Sequence, residues 1–392
     1  MSAINMNSTL NTSDERAILE RINAKTADQM TPVIAYLVIL MCVGLFGNVL
    51  AVIFYGRNAK KSTHSVFICT VAIYDMIACV ISIPSEIADL RLFFTYDNIT
   101  ACSILRFVNH FSAIGSIGVL LEISIDRFRR ICRPVQKQLN HKQATLACAG
   151  SIIFSIFLSW PSLVFYTAVP VEVKSENGQV VTGHTCTTTK EASYRTYLWI
   201  FNFIYMGLFI IFTIILCVMY SIVGRVLIQH NRKIKLHKRP EISVCSTSGG
   251  METSFTDDTC TTKQKTNYVK MATVQATKQK SNKNKTNHLN RSTLKFTMIM
   301  LVVTAVFVLS YLPFLVLVLW RAGNSTYESD LLSDSELVAL QFGMRTYFLN
   351  SAINPFTYGF FNSSFREFVK KSVCFCYKRS AGRFKPTSSA TQ

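Results

Sequence analysis

Charge is scarce in this sequence. Asp, Glu, Lys and Arg together make up 16% of its 392 residues, against about 25% in a typical soluble domain. One sign dominates, with 41 Lys and Arg against 22 Asp and Glu. The charge is also unevenly placed. Gln29–Gly56, Gln143–Val171, Thr196–Gly224 and Phe296–Trp320 contain none. Ser62–Ser85 holds only Asp75, Phe107–Ile125 only Glu122, and Leu337–Ser364 only Arg345. A bilayer core roughly 30 Å thick needs about 20 apolar residues per helical crossing. Seven such runs in one chain exclude an ordinary soluble fold. The expected fold class is an all-α membrane protein, a seven-transmembrane helix bundle.

Other absences narrow the function. The seven histidines are scattered without zinc-ligand spacing, and no glycine-rich phosphate loop is present, which argues against an enzyme and a cofactor. There is no internal repeat and no line of charges along a pore, so a transporter or channel is a remote alternative. The first 30 residues lack an apolar signal-peptide core, so the first span is expected to direct insertion.

The remaining charge sets an orientation. With the N-terminus outside and alternate loops counted, 31 of the 41 basic residues fall on the inner side, as the positive-inside rule requires. A multi-pass plasma-membrane protein with an extracellular N-terminus and a cytoplasmic C-terminus is expected. Four Asn-x-Ser/Thr glycosylation acceptors then lie outside: Asn7, Asn11, Asn98 and Asn324. Of the twelve cysteines, only Cys102 and Cys186 would meet the oxidising side, which points to one disulfide between them. Cys374 and Cys376 follow the last span beside Lys370, Lys371, Lys378 and Arg379. They are palmitoylation candidates, or two free cytosolic thiols.

The domain plan follows from composition. Residues 1–30 are polar and show no core pattern, and read as an extracellular glycosylated N-terminus. The seven-span domain covers 31–361, interrupted by 228–291, whose Ser, Thr, Lys, Asn and Gln predict a disordered third cytoplasmic loop. Residues 362–392 form a cytoplasmic tail that opens on an amphipathic membrane-surface helix, Phe365, Phe368 and Val369 alternating with Arg366, Lys370 and Lys371. The basic third loop suits anionic lipid or a cytoplasmic protein partner better than nucleic acid, given the adjoining spans.

Polar groups inside a membrane need a reason. Asn48, Asp75, Ser116, Asn350, Ser351 and Asn354 lie near the middle of apolar runs. Oxygen-bearing side chains around Asp75 would make a small cation site, or would only hydrogen-bond helix to helix. At ~100° per residue, Asn109, Ser116 and Arg127 share one face of the third helix. Glu86 shares the face of Asp75, Asp89 lies about 40° away, and Pro84 bends the helix between them. Arg345, nine residues before Asn354, comes out about 180° away and is expected to face elsewhere.

Together these residues resemble the rhodopsin-like G-protein-coupled receptors. The resemblance rests on Gly47-Asn48-Val49, Ala72-x-x-Asp75, Asp126-Arg127-Phe128, Pro134, Tyr220, Phe307 with Pro313, and Asn354-Pro355-x-x-Tyr358. It spans about residues 31–376. It implies that an extracellular ligand activates a heterotrimeric G protein, with arrestin and a receptor kinase as further partners. Arg127 would release from Asp126 and meet the G protein, steadied by Tyr220 and Tyr358. Asp75, Ser116, Asn350 and Asn354 resemble the family's pocket for an allosteric sodium ion. Pro313 and Pro355 would be the bends on which two helices move.

Departures from the pattern bear on the ligand. Phe128 stands for a Tyr, Tyr311 for a Trp, Phe154 for the fourth-helix Trp and Phe212 for a Pro. The amine receptors' Asp is Asn109 here, and the opsins' Lys is Phe348, which argues against a monoamine or retinal. No acid stands at the base of the sixth helix. A neuropeptide-type ligand is expected, with a lipid or small molecule as the alternative. Its contacts would be Glu86, Asp89, Asn109, Tyr311 and Phe314, the two acids meeting a basic group.

Overall fold

The computed structural model describes residues 12–58, 62–175, 177–237, 302, 305–321 and 333–372. Asn7, Asn11, Asn324, Cys374, Cys376 and the loop segment 238–291 lie outside these residues. Within a bilayer each peptide group must be satisfied inside its own segment, and the apolar runs are accordingly helical. Among the described residues they are α2 (Thr31–Ile53), α3 (Thr63–Ile77), α4 (Ile83–Arg91), α5 (Ile99–Cys132), α6 (His141–Ser159), α7 (Ser162–Phe165) and α8 (Arg195–His237). The last two spans are α9 (Ala305–Arg321) and the pair α10 (Asp334–Gly343) with α11 (Leu349–Phe361). One π-helical turn, Ala78–Ser82, joins α3 to α4 as one span. The result is the expected seven-helix bundle.

Its interior holds Leu37, Phe67, Val71, Val119, Phe307 and Phe348, all buried. The opposite faces carry Leu146, Ile153, Phe157 and Ile214, all exposed. Acyl chains rather than water are the solvent for such a surface. Gly47 explains one close approach: a Cβ there would come within 2.5 Å of Pro355. Only glycine lets α2 lie this near α11.

Beyond the spans, helix α12 (363–372) is capped by Asn362, whose Oδ1 accepts from the backbone N–H groups of Ser364 and Phe365. Its buried Phe365 packs on Phe54 and Tyr55. Beside it Lys371 holds the Glu367 carboxyl below its usual range. Helix α8 corrects the loop boundary, since it continues through 228–237. Gln229, Arg232, Lys233 and Leu236 are good helix formers, and the next helix breaker is Pro240.

At the end carrying Cys102, strands β1 (Tyr166–Lys174) and β2 (Val180–Thr188) form an antiparallel hairpin. Cys186, opposite Ala168 in the ladder, is joined to Cys102 with Cα atoms 5.6 Å apart. The hairpin is thereby pinned to the start of α5.

The N-terminal region corrects a second expectation. Thr12–Gln29 is a helix, α1, with Asp14 and Glu15 in its first turn, where acids favour the dipole. Ile18, Leu19 and Ile22 form a short apolar stripe against Phe94, Val173 and Val181. Three residues in eighteen are too few to register as a core pattern, and their hairpin partner is invisible in sequence. Asn23 completes the joint, donating to the Arg91 carbonyl (2.9 Å) and accepting from Phe94 N–H (2.9 Å). At Gly183 a Cβ would meet the Phe94 carbonyl at 2.5 Å. Leu19→Asp is expected to raise amide hydrogen exchange across α1 about tenfold, the loss of about 1.4 kcal/mol of apolar burial. Unchanged exchange would refute this docking.

Candidate functional site

Four charged side chains meet at the hairpin end. Glu86 and Asp89 come from α4, Arg106 from α5, and Arg345 from the link between α10 and α11. Arg106 donates to Glu86, and to Asp89 at 3.0 Å. Arg345 lies 3.0 Å from each acid and donates to the Gln341 side chain at 2.5 Å. Side-chain exposure is 4% for Glu86 and Arg345 and 17% for Asp89 and Arg106. Isolated buried charges are costly, but here each acid touches two guanidinium groups and the formal charge sums to zero. Two expectations change. The acids do face inward, but protein arginines already neutralise them, so they are not open counter-ions for a basic ligand. Arg345 points into the bundle, because α10 ends at Gly343 and Thr346–Phe348 form a 3-10 turn. The uniform 100° count does not survive that break.

Below this cluster Asn109 donates to Glu86 (3.1 Å) and to the Tyr347 hydroxyl (2.7 Å). The Tyr347 ring meets Tyr311 and Phe314, with centroids 5.9 and 4.9 Å away. The structure therefore brings Asn109, Tyr311 and Phe314 together on a residue the sequence reading had not singled out. Above it Ser333 and Glu336 form a capping box at the start of α10. Hydrogen bonds from Ser333 hold the Glu336 carboxyl below its usual range.

Deeper in the bundle, Asp75 is fully buried. It accepts from Ser116 at 3.3 Å and from the Asn354 amide at 2.8 Å. Asn48 donates to the carbonyls of Gly44 and Ser351. Asn350 is 1% exposed, yet neither its amide nitrogen nor its oxygen has a hydrogen-bond partner. The Oδ1 atoms of Asn48 and Asn354 are likewise unsatisfied. Polar atoms so buried normally find partners.

At the far end of α5, Asp126 is buried and ion-paired to Arg130 at 2.8 Å. Arg130 also donates to Thr63 at 3.1 Å. Arg127 and Phe128 lie half-buried beside them. Ser124 and Tyr220 share a short hydrogen bond that ties α5 to α8. Buried Phe307 stacks between Phe209 and Tyr311, six residues from Pro313 in α9. Pro355 and Tyr358 lie within α11.

The sequence model of one family, described as "7 transmembrane receptor (rhodopsin family)", matches residues 47–358. The chain belongs to that family. It is a receptor that signals through G proteins, a multi-pass plasma-membrane protein and not an enzyme. The receptor is 22% identical over 341 residues to the cholecystokinin receptor type A of Cavia porcellus, covering 84% of this chain and 77% of that one. It is 24% identical over 361 residues to the bombesin receptor subtype-3 of Ovis aries, covering 90% and 76%. A shorter match, 27% identical over 150 residues, is to the high-affinity lysophosphatidic acid receptor of Xenopus laevis, covering 38% and 40%.

Sequence reasoning missed three of the receptor's site residues: Arg106, Tyr347 and Ser124. Arg106 could have been found, because a guanidinium four residues past the disulfide cysteine of an apolar helix needs a carboxylate partner. Glu86 and Asp89 were the acids already placed on an inward face at the same end. Nothing in the sequence marks Tyr347 or Ser124, whose partners come from distant helices.

Proposed function

We propose that the receptor responds to a peptide that binds at the hairpin end, with that end outside the cell. The observation that carries this reading is the extent of the likeness. Relatives named for cholecystokinin and bombesin align along most of the chain, while the one named for lysophosphatidic acid aligns over 38% of it. The site agrees in kind. Asn109 offers hydrogen bonds and no charge, and the clustered acids are spoken for by Arg106 and Arg345, so a small amine has no counter-ion. A peptide spreads its contacts over several helices. The concentration of basic residues on the other side supports the orientation. At that far side Arg127 meets the G protein, and Tyr220 and Tyr358 support it; arrestin and a receptor kinase follow from the same family reading.

The test is a screen of peptides and lysophospholipids on cells expressing the receptor, read through several G proteins. Nanomolar activation by a peptide is expected. Activation confined to lysophospholipids would overturn the peptide reading.

The pocket around Asp75 is proposed to hold sodium. Carboxylate, hydroxyl and amide oxygens are the ligands a small hard cation takes, and the unsatisfied oxygens of Asn48, Asn350 and Asn354 give it somewhere to bind. Sodium should therefore lower agonist affinity severalfold, and Asp75→Asn should abolish the difference between sodium and a bulky organic cation. An undiminished sodium effect in that variant would leave Asp75 a hydrogen-bonding residue alone.

A further inference from the structure

We propose that Glu86, Asp89, Arg106 and Arg345 form a charge clamp that holds the receptor at rest, with Tyr347 as the positioning residue that passes its state to α9. The clamp joins three separate pieces of chain. Helix α4 supplies both acids, α5 supplies Arg106, and the N-cap of the 3-10 turn before α11 is Arg345. Each acid lies against both guanidinium groups. Separating α5 or the link before α11 therefore breaks two contacts, separating α4 breaks all four, and either strands charge in low dielectric. Such a cluster has two states, closed or open, and little between.

The route downward is continuous. Asn109 uses one amide group to hold both Glu86 and the Tyr347 hydroxyl. Tyr347 follows Arg345 by two residues, so movement of that turn moves its ring. The ring packs on Tyr311 and Phe314 of α9, and Tyr311 packs on buried Phe307, 5.1 Å between centroids. An open clamp must repack α9 beside its Pro313 bend. Thr346 adds a second tie, donating to the Ser310 carbonyl of α9 at 2.8 Å.

The sign follows from how ligands act. A ligand shifts a receptor by the difference in its affinity for two states, so a resting state held by internal contacts is one those contacts must lose. Breaking the clamp by mutation performs part of that work. The most exposed members, Arg106 and Asp89, are where an arriving ligand would begin.

The experiment measures nucleotide exchange by purified G protein on reconstituted receptor, without ligand and per folded receptor. Arg345→Gln and Asp89→Asn should each raise exchange at least threefold. Both singles remove the Arg345–Asp89 contact, so the double variant should raise exchange by less than the two effects combined. Tyr347→Phe keeps the ring contacts and loses the hydroxyl, and should cut the Arg345→Gln increase by more than half. Should Arg345→Gln not fold, Arg106→Lys carries the test, since Arg106 gives one nitrogen to each acid and lysine cannot fork in this way; exchange above wild type supports the clamp. Singles that lower thermal stability while exchange stays at the wild-type rate would overturn the proposal, as would strictly additive effects. It rests on G-protein signalling and not on the ligand class. No ligand enters the assay, so the peptide reading can fail while the clamp stands.

Discussion

Receptor carrying Arg127→Ala is expected to reach the surface and bind its ligand, yet to drive nucleotide exchange no faster than membranes without receptor. Arg127 sits half-buried where α5 ends, at the far end from the charge clamp. Its neighbour Asp126 is already engaged by Arg130, one turn on, and Arg130 reaches across to Thr63 of α3. The Arg130–Thr63 hydrogen bond fastens α5 to α3 and does not use Arg127, so alanine at 127 should leave that tie in place. What it removes is the guanidinium fork proposed to face the G protein. Binding assays, surface labelling and exchange assays on one preparation separate these roles. Agonist-driven exchange at the wild-type rate would end the proposed role of Arg127.

The second large effect is expected at Cys102 and Cys186. Serine at either position should strip most receptor from the cell surface, and the double variant should be no worse than one single. The bond closes a loop of 84 residues, for which chain entropy gives about 4.5 kcal/mol of lost stability on reduction. That is a large share of the 5–15 kcal/mol available to a typical fold. The local packing deepens the loss, since Tyr96 and Tyr166 close around the two sulfurs. Tyr166 also lies under the Arg106 guanidinium, 5.8 Å from ring centroid to carbon. Loss of the bond should therefore disturb the clamp as well as the hairpin. Additive losses in the double variant, or alkylation of Cys102 in native receptor, would show that the two cysteines do not act as a pair.

Much of this was legible in the sequence because the bilayer imposes simple rules. Charge-free runs such as Thr196–Gly224 became helices, because hydrocarbon leaves backbone polar groups no partner outside their own segment. Asp75, Ser116 and Asn354 could be grouped because each lies on a regular helical stretch. Arg345 could not, because the helix count fails at the turn following Met344. Glu86 and Asp89 were placed on the inward face, but their pairing with Arg106 and Arg345 was not foreseen. Facing is a property of one helix, whereas pairing needs the position of two others. Helix α1 was missed for a related reason. Its stabilisation comes from a hairpin some 150 residues away rather than from its own pattern.

Asn98 has a consequence for how the sugar question should be asked. Its exposed side chain is the N-cap of α5, the Oδ1 accepting from Ala101 N–H at 2.9 Å, and the same residue opens the Asn98-Ile99-Thr100 acceptor sequence. The usual experiment, Asn98→Gln, would remove two things at once: the attachment nitrogen and a cap worth about 1 kcal/mol. It would do so four residues from the cysteine that anchors the hairpin. A fall in surface receptor in that variant would then say nothing about glycans. Thr100→Ala destroys the acceptor and leaves the cap in place, so electrophoretic mobility and surface level in that variant report on the glycan alone.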